Sequence, residues 1–389
     1  MGVVSRFVGA VEAARQLGVQ RATLYAYVSR GLVERRTAID GRTSLYAVDD
    51  LDLLATRSRR REPASRPSLD VQISSAVTVL DEAGPRYRGR DVAELARTAT
   101  YEQVAELLWT GALPARVDWP APAPADVRAA QQAAAPLRSP LHQLIVATLV
   151  LGTRHPDDTA PALARRLLAL VPDVLAGRRA VASSDPRLAA RLAAAWDPDA
   201  GPALASALKR ALVVLADHEL TTSTLAVRLA ASVRAAPAEA LVAGLSVTAG
   251  PLHGSAANAV HALLADCARN GVGETVARRL GAGERLPGFG HKIYAGDDPR
   301  LTPLREAIAL LPDRDGRSDL VDDVIAEAGK RLMVRPNVDL GLGALTFVAG
   351  LPATVPHFAV ARIAGLVAHY EEELGERPVR FRGIARPAG

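Results

Sequence analysis

Residues 286–300 read LPGFGHKIYAGDDPR, with one histidine, His291, set between a Gly-Phe-Gly turn and a tyrosine, and a close on Asp-Asp-Pro-Arg. Glycines ahead of the histidine let backbone approach a ligand, since no Cβ stands in the way. Arg300 offers a planar, permanently charged fork suited to a carboxylate. Alone, the stretch reads equally well as a surface loop. It gains meaning beside GPLHGSAAN around His253 and RPNVDLGLG around Asp339.

The frame around these stretches is mainly helical. The chain has 389 residues, 49% hydrophobic and 23% charged, enough for a large core and two or three domains. Aromatics are only 4%, so the core must be built from Ala, Leu and Val, which favours closely packed helices over sandwiches. The single cysteine, Cys267, excludes an internal disulfide and fits a reducing compartment. The first residues, MGVVSRFVGAVEAARQ, contain no uninterrupted apolar run, so no signal peptide is expected. The most apolar run, LIVATLVLG at 144–152, falls well short of the roughly 18 residues of a membrane span. A soluble, cytoplasmic protein without membrane contact is expected.

Charge is unevenly placed. Residues 1–66 hold 12 arginines against 7 acidic residues, which accounts for the whole formal excess of +5. A basic module joined to a neutral body suggests that only the N-terminal part meets a polyanion. Within it, residues 11–17 have helical spacing and stop at Gly18, and residues 20–29 read as a second short helix. Residues 32–36 and 43–46 flank Asp40-Gly41, a hairpin cue, and residues 48–57 should form a third helix. This order of helix, turn, helix, wing and helix resembles the DNA-binding domain of MerR-type and excisionase-like proteins. The resemblance puts Arg21, Thr23, Tyr25 and Tyr27 on or near a recognition helix, and Arg35, Arg36 and Arg42 in the wing. Arginines that hold phosphates beside a helix in the major groove would agree with it. A protein-docking module with a solvated charged surface is the alternative. Residues 57–68, RSRRREPASRPS, read as a basic linker.

From residue 70 the texture changes. A short β-structured entry with a turn at Gly84-Pro85 leads to two amphipathic helices, at 92–97 and 101–109, closed by Gly111 and Pro114. After the loop PAPAPAD at 120–126, Ala/Leu/Arg-rich helices continue to about residue 250, broken at Pro156, Gly177 and Pro186. The chemistry-bearing signals follow in order: ADHELTTST with His218, GPLHGSAAN with His253, GFGHKIYAGDDPR with His291 and Arg300, and PNVDLGLG with Asp339. Arg362 and Glu376-Arg377-Pro378 come later.

Together with Tyr87-Arg88-Gly89 and its helix pair, these signals resemble the citrate synthase family over residues 69–389. The resemblance implies an almost all-α fold of two helical domains, with a smaller lobe at roughly 256–344, working as a homodimer. Ahead of it would stand the winged helix-turn-helix of residues 1–56. The implied reaction is a Claisen condensation of an acyl-CoA with a 2-oxo dicarboxylate, with no permanently bound cofactor. An Asp carboxylate, with a reference pKa of about 3.9, is too weak a base to leave a free enolate, so a donor must stabilise the thioester oxygen. His253 precedes a helix expected from Ser255, whose positive end favours neutral imidazole. Asp339 is then the base and His253 the enol-stabilising donor, as the resemblance also implies. The resemblance gives the ketone proton donor to His291, and the carboxylate partners to His218, Arg300, Arg362 and, from a second subunit, Arg377.

Other readings of the same residues remain. Two histidines and Asp339 suit a 2-His-1-carboxylate iron site, although the spacing lacks a short His-x-Asp pair and the arginines suit an anion better. Residues 218–222 are not a zinc-protease motif, because position 222 is Thr, and the glycines of GFG and GLG lack the rest of a dinucleotide loop. The chain also departs from the family pattern. Thr221 and Ala257 stand where Asn is usual, Ala295 replaces a frequent Lys, and Leu340-Gly341-Leu342 follow Asp339. Missing polar contacts to the oxo acid and weaker coenzyme A phosphate binding are therefore expected. Acetyl-CoA with oxaloacetate is the simplest substrate pair. Propionyl-CoA differs by one methylene, and a metabolite-sensing regulator that keeps the fold with little turnover is the rival from another class.

Overall fold

The computed structural model describes residues 7–29, 31–38, 43–59, 72–81, 84–250, 253–291, 294, 296–313 and 315–381. The expected turn at Asp40-Gly41, Arg42, Ala295 and the linker from residue 60 lie outside them.

The N-terminal segment folds as β1 (Phe7–Gly9), α1 (Ala10–Leu17), α2 (Arg21–Ser29), β2 (Arg35–Thr37), β3 (Ser44–Ala47) and α3 (Val48–Arg59). Gly18 ends α1 in the left-handed region at φ 66, its N–H turned back to the Ala14 and Arg15 carbonyls. β3 lies between β1 and β2, antiparallel to both. Strand β1 has no sequence signal, since three residues are too few to show a period. α3 continues through Arg59, into the stretch read as linker. Ala13, Leu24, Val33, Tyr46 and Leu51 give this segment a small core of its own.

The body opens with β4 (Thr78–Asp81), β5 (Gly84–Tyr87) and β6 (Arg90–Asp91), an antiparallel sheet in that order. Gly84 and Pro85 were expected as a turn, but they begin β5, paired with Asp81 and Leu80. The reason is steric as well as conformational. Gly84 sits at φ 124, and a Cβ there would meet Pro299 at 2.8 Å, so the glycine serves a close approach to the loop before Arg300. The expected helix pair is present as α4 (Val92–Thr98) and α5 (Tyr101–Thr110), the latter opened by a Thr100/Gln103 capping box.

Next come α6 (Pro124–Ala134), α7 (Pro140–Arg154), α8 (Ala160–Ala176), α9 (Leu188–Trp196), α10 (Pro202–Leu215), α11 (Thr222–Ser232) and α12 (Pro237–Thr248). Pro156, Gly177 and Pro186 all fall between helices, as expected. Then follow α13 (Ala256–Asn270), α14 (Val272–Gly281), α15 (Leu301–Ile308), α16 (Arg317–Gly329), α17 (Val338–Val348) and α18 (His357–Leu374). α18 is buried on almost every face and packs against α5, α8, α10, α11 and α12, the place an all-round apolar helix must take. α17 is likewise enclosed, by α13, α15 and α16. Gly343 permits this: a Cβ there would lie 2.5 Å from Val260 and 2.8 Å from the Ala257 carbonyl. The glycines after Asp339 therefore serve helix packing. Among the described residues, no helix is long and apolar enough to cross a membrane.

Candidate active site

The site has two halves, one made of loops and one of helices. In the loop half, residues 288–291 and 335–339 are laced together. Gly290 N donates to the Arg335 carbonyl at 2.8 Å, Asn337 N to that of Gly288 at 2.9 Å, and Asn337 Nδ2 to that of Gly290 at 2.7 Å. Asn337 also caps α17, its Oδ1 accepting from Asp339 N at 3.0 Å. The histidine loop thus stands beside the first turn of the helix that carries Asp339. Asp298 completes the tie, accepting from Val338 N at 2.9 Å.

Asp298 also takes up the fork of Arg300. Arg300 Nε and Nη2 donate to its two carboxylate oxygens at 3.0 and 2.8 Å, with both side chains buried. The fork expected for a substrate carboxylate is engaged by the chain itself. Arg300 Nη2 also lies 3.1 Å from His291 Nε2, while Tyr294 N donates to His291 Nδ1 at 3.2 Å. A neutral imidazole accepts at one nitrogen only, so the two donors compete for a single lone pair. Burial, then Arg300, lowers the His291 pKa. Burial pushes the Asp339 carboxyl up from the usual range, against the pull of Arg300. That is the direction a general base requires.

The helical half is centred on Asp217 and Arg362, both fully buried and 3.1 Å apart. Tyr87, from the Tyr-Arg-Gly signal, fixes this point: its hydroxyl donates to the Asp217 carbonyl at 2.9 Å and accepts from Asp217 N at 3.1 Å. Arg362 Nη2 donates to Thr224 Oγ1 at 2.8 Å and Thr221 Oγ1 at 3.2 Å. Thr221 continues to Ser223 at 3.1 Å, and Ser223 to His253 Nε2 at 2.8 Å. Threonine at 221 therefore holds a polar contact to Arg362. His253 stands two residues before Ser255, the residue that opens α13, as the sequence indicated. Its pKa is lowered by burial and then by Arg362, which leaves a neutral donor.

Behind Asp217 stands His369, its Nε2 3.2 Å from Asp217 Oδ2 and its Nδ1 2.9 Å from Arg228 Nη2. Arginine only donates, so we assign the His369 hydrogen to Nε2. Burial opposes ionisation of Asp217, yet His369 and Arg362 hold its carboxyl far below the ordinary range. Arg228 is closed off by Glu373 at 2.9 Å and by Glu372.

His218 joins the halves. Its ring centre is 6.3 Å from that of His291, and burial, Arg300 and Arg362 together lower its pKa to about 3. His218 Nδ1 and Arg362 Nε are buried with no hydrogen-bond partner among the described residues. Each unmet group carries a desolvation cost. Hydrogen bonds thus connect His291 and Arg300 through Asp298 and Asn337 to the start of α17, where Asp339 sits. Others connect His253 through Ser223 and Thr221 to Arg362, while His218 lies near His291. Arg377 is not brought to either group. It lies exposed beyond α18, on a segment held by Val379 N to Ser232 O at 2.9 Å and Arg234 Nη2 to Glu376 O at 3.0 Å. Asp217, Ser223, Thr224, Asp298, Asn337 and His369 were missed as site residues. Only the Asp298-x-Arg300 spacing could have signalled one of them. Among the described residues, no group of three or more His, Cys, Asp or Glu could hold a metal ion.

In the N-terminal segment, Arg21, Tyr25, Arg35 and Arg36 are exposed. Thr23 is turned inward, 8% exposed, its hydroxyl donating to the Arg331 carbonyl of the body at 3.3 Å. Tyr27 is half-buried against the segment's own core. Packing thus takes these two away from the surface that DNA contact requires, and Arg42 lies outside the described residues.

Comparison with known proteins agrees with this architecture. The chain is 30% identical to the citrate synthase of Corynebacterium glutamicum over 348 residues, 77% of this chain and 80% of that one. It is 27% identical to the 2-methylcitrate synthase of Mycobacterium tuberculosis over 316 residues, 74% and 80% of the two chains. The fold matches a citrate synthase from Thermoplasma acidophilum, solved in ternary complex with carboxymethyl coenzyme A and oxaloacetate, at a TM-score of 0.68. That match has 21% identity and covers 82% of this chain and 94% of that one. The citrate synthase of Thermotoga maritima matches at a TM-score of 0.66 with 23% identity, over 82% and 93%. The family model described as "Citrate synthase, C-terminal domain" matches residues 68–388, and the chain belongs to the citrate synthase family.

Proposed function

We propose that the chain condenses acetyl-CoA with oxaloacetate to give citrate and free CoA, with no permanently bound cofactor. The observation that carries this is the pair of unmet buried nitrogens, His218 Nδ1 and Arg362 Nε, in a site whose carboxylate Asp339 is pushed towards basicity. Asp339 takes a proton from the thioester methyl, and neutral His253 donates a hydrogen bond to the developing enolate oxygen. The enol carbon then attacks the ketone of the oxo acid, whose oxygen takes its proton from His291. Hydrolysis of the resulting thioester releases CoA. His218, Arg300 and Arg362 hold the oxo dicarboxylate. Arg300 gains that role when its Asp298 fork loosens on binding.

The homodimer belongs to the same proposal. α7 and α11, both packed on α12, expose Leu149, Leu229 and Val233. The segment bearing Arg377 is pinned beside the end of α11, which favours donation of Arg377 across that face. Release of thiol from acetyl-CoA at saturating oxaloacetate, with citrate as product, is the expected result. No release above background with either acetyl- or propionyl-CoA would remove the enzyme reading. Similarity to 2-methylcitrate synthases supports propionyl-CoA as the second candidate, and a pocket separates two acyl chains differing by one methylene by only about 1–3 kcal/mol.

Residues 1–56 are proposed as a winged helix-turn-helix, on the observed order α1, α2, β2, β3, α3 and on the exposed Arg21, Tyr25, Arg35 and Arg36. DNA binding through residues 1–66 would be steeply salt-dependent. A gel-shift series with no binding beyond that of the isolated body would end that reading. In a regulator with little turnover, DNA affinity would instead respond to oxaloacetate or acyl-CoA. The buried Cys267 suits a cytoplasmic, reducing setting.

A further inference from the structure

The N-terminal segment is seated on the body beside the catalytic loop. Val19 forms an antiparallel bridge with Leu332, and Gln20 N donates to the Arg331 carbonyl at 3.2 Å. Thr23 Oγ1 reaches the same carbonyl. Between the two parts lies a cavity of about 640 Å³. Leu17, Tyr27, Leu32 and Leu54 of the N-terminal segment form one wall, and residues 280–286 and 289–291 of the body face them. His291 is among the lining residues, so the cavity reaches the catalytic loop.

We propose that the N-terminal segment supplies one wall of the acyl-CoA pocket, with Tyr27, Leu32 and Leu54 as affinity- and specificity-determining contacts for the thioester. This rests on the condensation reading. The volume is that of a cofactor-sized ligand. An oxo dicarboxylate is small and doubly charged, and its partners Arg300 and Arg362 do not line this cavity. A CoA thioester is long, with an uncharged, flexible arm and an anionic far end. Apolar side chains on both walls suit the arm, Arg285 in the lining suits a phosphate, although Glu284 lies next to it, and His291 marks the reacting end. A ligand touching both walls holds the segment in place, and a seated segment strengthens ligand binding by the same factor. Tyr27, proposed for the thioester, and Arg21 and Tyr25, proposed for DNA, thus belong to one helix, α2.

The test uses the full chain. Tyr27→Ala removes a lining side chain. Gln20→Pro removes the N–H that holds the segment to Arg331, without altering the lining. Both should raise the acetyl-CoA KM about tenfold, the effect of losing a few apolar contacts, while the oxaloacetate KM stays within about twofold. Calorimetric titration with CoA itself should show the same loss of affinity, and that readout needs no turnover. Equal CoA affinity in wild type and both variants, or no CoA binding by the wild type, overturns the proposal. An equal rise in both KM values also overturns it. A wild type that releases no thiol yet binds CoA in a Gln20→Pro-sensitive way would instead sink the condensation reading alone.

Discussion

The two halves of the site handle their charges in opposite ways. In the helical half, Asp217, Arg362, His369, Arg228 and Glu373 are shut away from solvent, each leaning on the next. In the loop half, the buried Asp298–Arg300 pair and hydrogen bonds of the Asn337 side chain and nearby backbone hold the His291 loop beside the start of α17. Asp217 has its ionisation secured by Arg362 and the His369 N–H, whereas Asp339 is pushed towards the neutral form by burial. A carboxylate that supports the fold needs nearby cations, while one that must take a proton needs to be left short of them. Under the proposed reaction, the same residue type is structural in one half and chemical in the other.

The strongest way to break this contrast is at the two aspartates. Asp339→Ala should lower kcat by up to about 10⁴-fold, the upper range for a lost general base, with unfolding free energy unchanged or slightly raised. Thiol release and urea denaturation measure the two parts, and a large loss of stability would erase the distinction. Asp217→Asn should do the reverse first, costing about 3–5 kcal/mol because Arg362 is left buried without its counter-ion. A urea midpoint equal to wild type would contradict it.

A smaller effect sharpens the loop half. Asp298→Asn should cost about 2–3 kcal/mol through the lost charged fork, and should raise the oxaloacetate KM as Arg300 loses its orientation. If KM is unchanged, Arg300 does not face the oxo acid. The smallest effect concerns acid stability. His357 opens α18 with its pKa lowered to about 4 by burial, against an ordinary 6.5. Between these values the unfolded chain takes up a proton that the folded chain refuses. Stability is therefore lost as pH falls from about 6.5 towards 4, by about 1.4 kcal/mol per pH unit for this group. Melting temperatures at pH 7 and 5.5 should differ more in wild type than in His357→Gln. Equal differences would remove His357 from the account.

The local setting of the candidate residues was readable because it lies in short signals. His253 ahead of α13, Asp339 in the first turn of α17 and the Gly-His loop all combine a functional side chain with a turn or cap that shows in sequence. The wiring was not readable. Asp217, 145 residues from Arg362, and His369, 141 residues from Arg228, meet only because α18 runs through the middle of the helical bundle. Gly84-Pro85 was misread for a related reason: nothing in the local sequence announces that Pro299 presses on that strand. Thr23 was given to DNA by its place on a helix, and lost to the Arg331 carbonyl by packing.

By itself the sequence determined the helical class, the basic N-terminal segment and the local setting of His253 and Asp339 at helix starts, because periodicity, caps and charge runs act over a few residues. Tertiary structure alone decided which arginine is already occupied, which histidine nitrogen has no partner among the described residues, and where the N-terminal segment sits. Those are settled by contacts between parts distant along the chain, where burial sets the cost of every unpaired polar atom.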